Sequence, residues 1–160
     1  MIFPINIVDV LSSLIIAIIT AIITARLALG HFYRKEIWLR KESKYSEIIN
    51  ELCKMLQFME KEYDYLVYGE ATDDNYEALR AAYKKAKLEL EKIRYSTGFI
   101  INPAVNDVID KMMKDFEFKT DNERQGDYFS YTDRIYGVIK DAISKIIDIA
   151  NEDLKKNKKI

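Results

Sequence analysis

Few residues in this chain have the type and spacing that catalysis or metal binding requires. The single histidine, His31, has no Cys, Asp or Glu at ligand spacing beside it. The single cysteine, Cys53, has no nearby histidine, so we expect a buried, unreactive thiol. The acidic pairs Glu60-Glu62 and Asp73-Asp74 are expected on a helix surface and at a helix cap. No zinc-protease, paired-cysteine, Walker or nucleophile-elbow motif occurs. We therefore expect no catalysis, no metal site and no cofactor.

Basic and aromatic residues occur together at two places whose chemistry suits an anion. Tyr83 is followed by three lysines within four positions, on a segment with helical periodicity. Further along, cationic and hydroxyl-bearing residues precede a helix that is expected to begin at Asn102-Pro103. The unpaired amides and the dipole of a helix N-terminus favour phosphate. Solvated helix surface explains both places equally well. The residues expected to bind a ligand are Lys84, Lys85, Arg94, Tyr95, Ser96, Thr97 and Asn102.

The N-terminal part of the chain is dominated by one apolar stretch. Between Val10 and Leu29 the only charge is Arg26. As a helix, the segment from Ile5 to Leu29 is about 37 Å long, which exceeds a hydrocarbon core of about 30 Å. A cleaved signal peptide fits less well, because no Lys or Arg precedes the stretch. We expect residues 1–30 to form a transmembrane helix.

Positive charge follows the apolar stretch rather than preceding it. The positive-inside rule then predicts a single-pass membrane protein with an external N-terminus and a cytoplasmic domain of residues 31–160. Basic side chains close to the inner leaflet also attract anionic lipid. The residues expected at the membrane surface are Arg34, Lys35, Arg40 and Lys41.

Small residues recur through the apolar stretch at every fourth position. Positions i and i+4 share a helix face, so these residues form a shallow strip between isoleucines. Such strips let helices approach closely in lipid, although Ala and Thr are also common filler in membrane helices. We expect self-association through this face, into a homo-oligomer that we take to be a tetramer. The strip consists of Ser13, Ala17, Thr20, Ala21, Thr24, Ala25 and Ala28.

The remainder of the chain has helical periodicity and no convincing alternation typical of a strand. Four helices are expected after Gly30: one ending near Tyr68-Gly69, one stopping before Ser96, one from Asn102-Pro103 to about Phe118, and one from about Asp127 to Leu154. The segment KTDNERQG is expected to be a polar loop. The fold class is therefore all-α, with the transmembrane helix continuing into a cytoplasmic antiparallel four-helix bundle. The expected seam of the first helix is Tyr45, Ile49, Leu52, Leu56, Met59, Tyr63 and Leu66.

Four segments carry a resemblance to known proteins. They are WLRKESKYSEIINEL, YEALRAAYKKAKLEL, STGFIINPAVNDVIDKM and IYGVIKDAISKIIDIANEDL. Together they resemble a broad set of uncharacterised bacterial proteins with one membrane helix and a helical cytoplasmic domain. The layout also looks like CRISPR-associated membrane effectors that bind cyclic tetra-adenylate. No binding motif of that family transfers residue by residue.

The resemblance implies an oligomeric effector of the bacterial inner membrane in anti-phage defence, whose cytoplasmic domain senses a cyclic oligonucleotide and acts on the membrane. A passive anchor or scaffold, whose helical bundle binds a protein partner, is the alternative, and an immunity-type protein is a variant of it. A net charge of −1 gives no reason to expect duplex nucleic acid as a partner.

Overall fold

The structure is a computed structural model that describes residues 7–69, 75–96, 100–124 and 126–156, with side chains from Ile16 onward except those of Ser96 and Asn122. Every regular element in these ranges is an α-helix, which confirms the all-α prediction. Four helices are long and one is a single turn. They are α1 (Ile7–Tyr68), α2 (Tyr76–Ser96), α3 (Ala104–Glu117), α4 (Asp121–Arg124) and α5 (Tyr128–Lys156).

The chain divides into two compact units, Met1–Leu39 and Arg40–Ile160. In the first unit α1 contains an 18-residue window that is apolar and long enough to cross a membrane, and none of that window is buried. The large aliphatic side chains of this part are between 51 and 66% exposed; they are Ile16, Ile18, Ile19, Ile22, Ile23 and Leu27. The N-terminal part of α1 is thus a candidate membrane span.

Helix α1 ends where the sequence predicts. Gly69 adopts a positive φ of 70°, and its N–H donates to the carbonyl of Tyr65 at 2.9 Å. Glycine reaches this left-handed conformation without the clash that a Cβ atom causes, so it terminates helices readily. The cap expected at Thr72, Asp73 and Asp74 lies outside the described residues.

In the second unit, four helices share one hydrophobic core. The α1 contribution is spaced by three and four residues in turn: Tyr45, Ile48, Leu52, Met55 and Met59 are all buried. The expected seam was wrong at Ile49 and Leu56, which are only partly buried, and at Tyr63 and Leu66, which are partly exposed and lie outside this core. The row of α1 with Ile48 and Met55 and the adjacent row with Ile49 and Leu56 are both apolar. Sequence periodicity therefore does not show which of the two rows faces the core.

The other helices each bury one apolar face, whose residues are spaced by three or four positions. Val138 and Ile149 of α5 are only partly buried, whereas Ile139 is fully buried. The buried residues from these helices are Ala86, Leu90 and Ile93 of α2, Val105, Ile109, Met112 and Phe116 of α3, and Ile135, Ile139, Ala142, Ile146 and Ala150 of α5.

The segment expected to be a polar loop contains α4, which is set by a capping box. The N–H of Thr120 donates to Glu123 Oε2 at 2.9 Å, and the N–H of Glu123 donates to Thr120 Oγ1 at 3.3 Å. This reciprocal pair satisfies two amides at a helix start. The Arg134 guanidinium donates to Glu123 Oε1 at 2.6 Å and holds the pKa of that carboxyl below its usual range. Arg134 thereby ties α5 to α4.

Candidate functional site

The residues expected to bind an anion lie on α2 and at the start of α3. Lys84 and Lys85 are exposed. Arg94 lies ten residues further along α2, about 15 Å along the helix axis. It forms an ion pair with Asp110 of α3, so its charge is already compensated within the chain. Tyr95 is 79% exposed, and the Arg94 guanidinium lies 5.4 Å from its ring centroid.

The amides at the start of α3 have partners from the chain itself. Asn102 Oδ1 accepts from the N–H of Ala104 at 3.0 Å, and the Asn102 carbonyl accepts from the N–H of Val105 at 3.1 Å. Asn102 is thus the capping residue that the sequence predicts. Thr97 and the side chain of Ser96 lie outside the described residues. Ligand binding by this group stays a prediction.

The residues expected at the membrane surface divide into two kinds. Lys35 and Arg40 are exposed, and Arg34 is exposed while its Nε donates to the Gly30 carbonyl at 3.1 Å. Lys41 differs, because its Nζ donates to both carboxylate oxygens of Asp153 at 2.9 Å. The two side chains are only 17 and 14% exposed. Lys41 therefore joins α1 to α5, which sequence analysis did not anticipate.

The small-residue strip is exposed at each member whose side chain is described: Ala17, Thr20, Ala21, Thr24, Ala25 and Ala28. The side chain of Ser13 lies outside the described residues. The Thr20 hydroxyl donates to the Ile16 carbonyl at 2.8 Å within its own helix. Self-association through the strip stays a prediction.

A buried tyrosine joins three parts of the second unit. Tyr45 of α1 is 2% exposed, and its hydroxyl donates to Asp153 Oδ2 of α5 at 2.8 Å. The same hydroxyl accepts from the N–H of Asn102, just before α3, at 3.1 Å. Burial raises the pKa of Tyr45 to about 12. The expected seam of the first helix includes this ring, but the sequence does not reveal the partners of its hydroxyl.

The predicted place of Glu62 was wrong. It was expected on a helix surface, yet it is 3% exposed. Its carboxylate accepts hydrogen bonds from the hydroxyls of Tyr76, at the start of α2, and of Tyr128, at the start of α5, the latter at 2.8 Å. The bond to Glu62 is the main reason that the pKa of Tyr76 rises to about 12. Burial and the same carboxylate raise the pKa of Tyr128 above its ordinary value.

These two hydrogen-bonded contacts also show how α1 and α5 run. The Tyr45 end of α1 meets the C-terminal end of α5, whereas the Glu62 end meets the N-terminal end of α5. The two helices therefore run in opposite directions within the second unit.

The two tyrosines that donate to Glu62 pack against further aromatic rings. The Phe58 ring centroid lies 5.8 Å from that of Tyr76 and 5.0 Å from that of Tyr83. Tyr128 stacks on Tyr131 at 5.9 Å. Offset and tilted ring pairs at these separations stabilise beyond the area that they bury. The carboxylate is thus held by hydroxyls whose rings are themselves packed against aromatic neighbours.

An open cavity of about 470 Å³ lies between α1 and α5 and combines acidic and aromatic side chains. We call it the acidic groove, and its lining is Glu60, Tyr63, Asp64, Asp133 and Tyr136. The Tyr136 hydroxyl lies 3.4 Å from Glu60 Oε1, and the Lys140 ammonium lies 5.8 Å from the Tyr136 ring centroid. Such a mixture of carboxylates and π faces recognises cations. The sequence does not reveal this groove, because its residues come from helices some 70 positions apart in sequence.

Comparison with known proteins adds no relative: no family model matches the chain, and no curated protein or solved structure matches it. Among the described residues, no group of three His, Cys, Asp or Glu side chains is placed to hold a metal ion. The resemblance to membrane effectors thus stays an expectation, and function is inferred from the two units themselves.

Proposed function

We propose that the protein is a membrane-anchored scaffold, in which α1 spans the bacterial inner membrane and residues 40–160 form a cytoplasmic antiparallel four-helix bundle that binds a protein partner. The observation that carries this proposal is the exposed apolar surface of α1. A continuous aliphatic face of this extent is costly in water, and a lipid bilayer is the environment that removes the cost.

The charge of the chain supports the orientation. Arg34, Lys35 and Arg40 follow the apolar window, whereas no Lys or Arg precedes it in the sequence. Basic residues next to a span favour the cytoplasmic side. The N-terminus then lies outside and the second unit in the cytoplasm.

Exposed rings on the second unit support a partner-binding role. Tyr68, Tyr95 and Phe118 are 73, 79 and 60% exposed, which is high for aromatic side chains. Tyrosine and phenylalanine are enriched at protein interfaces, where they bury large area at low entropic cost. The hydrogen bonds of Tyr45 and Glu62 link the helices that carry these rings.

Two aspartates in the span are expected to release the full-length chain from the membrane. Ile18→Asp with Ile22→Asp places two carboxylates near the centre of the apolar window, at about 3 kcal/mol each. The wild-type chain is expected to stay in the membrane pellet after an alkaline carbonate wash, and the double variant to leave it. The matched control is Ile147→Asp, at a position of α5 that is 40% exposed, and it should stay in the pellet.

Cys53 was expected to be buried and unreactive, but it is half-buried and lines a pocket, so this only cysteine of the chain can report orientation in the same membranes. A membrane-impermeant maleimide is expected to label it only after the inner membrane is opened. Labelling in intact spheroplasts would contradict the cytoplasmic assignment, and a wild-type chain in the carbonate supernatant would contradict the anchor.

A second proposal is an oligomeric effector that senses an anionic cyclic oligonucleotide. Exposed Lys84 and Lys85 support it, because adjacent ammonium groups on one helix suit a polyanion. Arg94 and Asn102 support it less, since they already bind Asp110 and Ala104.

Calorimetric titration of the full chain in detergent with cyclic tetra-adenylate tests the sensing role. Lys84→Glu with Lys85→Glu is expected to weaken binding by about tenfold or more, because two attractive charges become repulsive. Lys155→Glu with Lys156→Glu is the matched control, at exposed positions near the end of α5. Absence of heat at micromolar ligand would remove the effector proposal and leave the scaffold intact.

A further inference from the structure

The acidic groove carries negative charge that the described residues leave largely uncompensated. Neither Asp64 nor Asp133 forms an ion pair or hydrogen bond with a described residue, and Glu60 has only the long contact with Tyr136. Lys140 contributes one positive charge at the edge, over the Tyr136 ring. Three carboxylates with one ammonium leave the groove acidic.

The walls of the groove are aromatic as well as acidic. The Tyr63 ring centroid lies 5.3 Å from that of Phe129, and Tyr136 already holds the Lys140 ammonium against its face. A lysine side chain can place its ammonium on the carboxylates and its methylene stem against such rings. The occupant that fits the groove is therefore a lysine on a partly apolar surface.

The chain itself carries such a surface on the outer face of α2. Lys84 and Lys85 are exposed, and Lys84 has no ion pair or hydrogen bond with a described residue. Leu88, one turn further along, is 57% exposed. We call these three residues the α2 lysine face. It has the charge and the apolar content that the acidic groove lacks.

We propose that the acidic groove of one copy binds the α2 lysine face of a second copy. Because the two surfaces differ, the contact is head-to-tail and leads from copy to copy around a ring or along a row. This inference rests on the proposed membrane anchor, since copies held in one membrane meet at a high effective concentration. A second copy is the occupant because both complementary surfaces are present and exposed on the same chain.

Cross-linking between two differently tagged full chains in membrane vesicles tests the contact. Both chains carry Cys53→Ser; one also carries Lys85→Cys and the other Asp133→Cys, so any bis-maleimide product of the two tags joins separate copies. The matched control replaces Asp133→Cys by Asp148→Cys, at an exposed aspartate about 22 Å further along α5. The first pair is expected to give about fivefold more mixed product than the control pair.

Charge reversal then tests whether these side chains hold the contact. Lys84→Glu in the Lys85→Cys chain, or Asp64→Lys in the Asp133→Cys chain, is expected to lower the mixed product by about tenfold, because like charges then face each other. The two reversals together restore the opposite charges, and most of the product should return. Such recovery is specific to residues in contact.

Three outcomes would overturn the inference: equal product from the control pair, no effect of either reversal, or no recovery when both are combined. If the chain stays in the carbonate-washed membrane yet gives no mixed product, the contact between copies is refuted and the membrane anchor is not. If the chain leaves the membrane, the membrane anchor itself is refuted. An empty membrane pellet shows this before the cross-linking is done.

Discussion

Replacing Ile48 by alanine is expected to lower the free energy of unfolding by about 3 kcal/mol, and the same change at Ile49 by about 1 kcal/mol. Ile48 is 0% exposed, whereas its neighbour only packs against the edge of the core. The two changes remove the same atoms. Their difference measures the cavity that forms when the surrounding helices do not collapse into the space.

The measurement is unfolding of the full chain in detergent, followed by far-ultraviolet circular dichroism. Since α1 contributes helix signal from both units, the near-ultraviolet signal of the tyrosines, which are concentrated in residues 40–160, provides a second probe. Met55→Ala against Leu56→Ala repeats the comparison one heptad later, since Met55 is 0% exposed and Leu56 partly buried. Equal losses at Ile48 and Ile49 would contradict the packing of α1 described above.

Local signals predict the helices and most of their ends. Gly69 terminates α1 because glycine readily adopts the positive φ found there. Asn102 and Pro103 start α3 through a side-chain hydrogen bond to an amide only two residues away. The apolar window of α1 is likewise a property of consecutive residues. Such features depend on neighbours in sequence, so the sequence alone predicts them.

The choice between adjacent rows of α1 depends on helices that are distant in sequence. Ile48 and Ile49 are the same residue type, and helical periodicity allows either to face the core. Lys41 gives no local sign that it will meet Asp153, which lies 112 positions away. The acidic groove is hidden for the same reason, because Asp64 and Asp133 meet only after α1 and α5 have paired.

α4 is an exception, since its signal was local and was missed. Thr120 and Glu123 have the capping-box spacing, three residues apart. Composition favoured a loop there, because the segment is polar throughout and has no apolar face. The helix is stabilised instead by Arg134 of α5, which binds Glu123 from outside the segment.

Glu62→Leu is expected to lower the free energy of unfolding by about 2–3 kcal/mol, because it leaves the hydroxyls of Tyr76 and Tyr128 without their acceptor. Leucine fills similar space, so a cavity contributes little. Glu62→Gln is the conservative control; its amide still accepts from one hydroxyl and can donate to the other, so the expected loss is about 1 kcal/mol.

The triple variant Glu62→Leu, Tyr76→Phe, Tyr128→Phe separates the hydrogen bonds from the ring packing. Removing donors and acceptor together is close to neutral, so most of the lost stability should return. No recovery would mean that Glu62 acts through something other than these two hydroxyls. Recovery would show that the three residues act as one unit, which joins the end of α1 to the first turns of α2 and α5.

Titration of the tyrosines reports on the hydrogen bond between Tyr76 and Glu62. The bond to Glu62 is the largest cause of the raised pKa of Tyr76, so in Glu62→Leu this group should ionise closer to its ordinary value of 10. In the wild type the unfolded chain loses the Tyr76 proton near pH 10, whereas the folded chain keeps it until about 12. The folded state then binds more protons, so stability falls as the pH rises above 10. Tyrosinate absorbance near 295 nm should therefore rise at lower pH in Glu62→Leu than in the wild type, and an unchanged curve would contradict the assigned hydrogen bond.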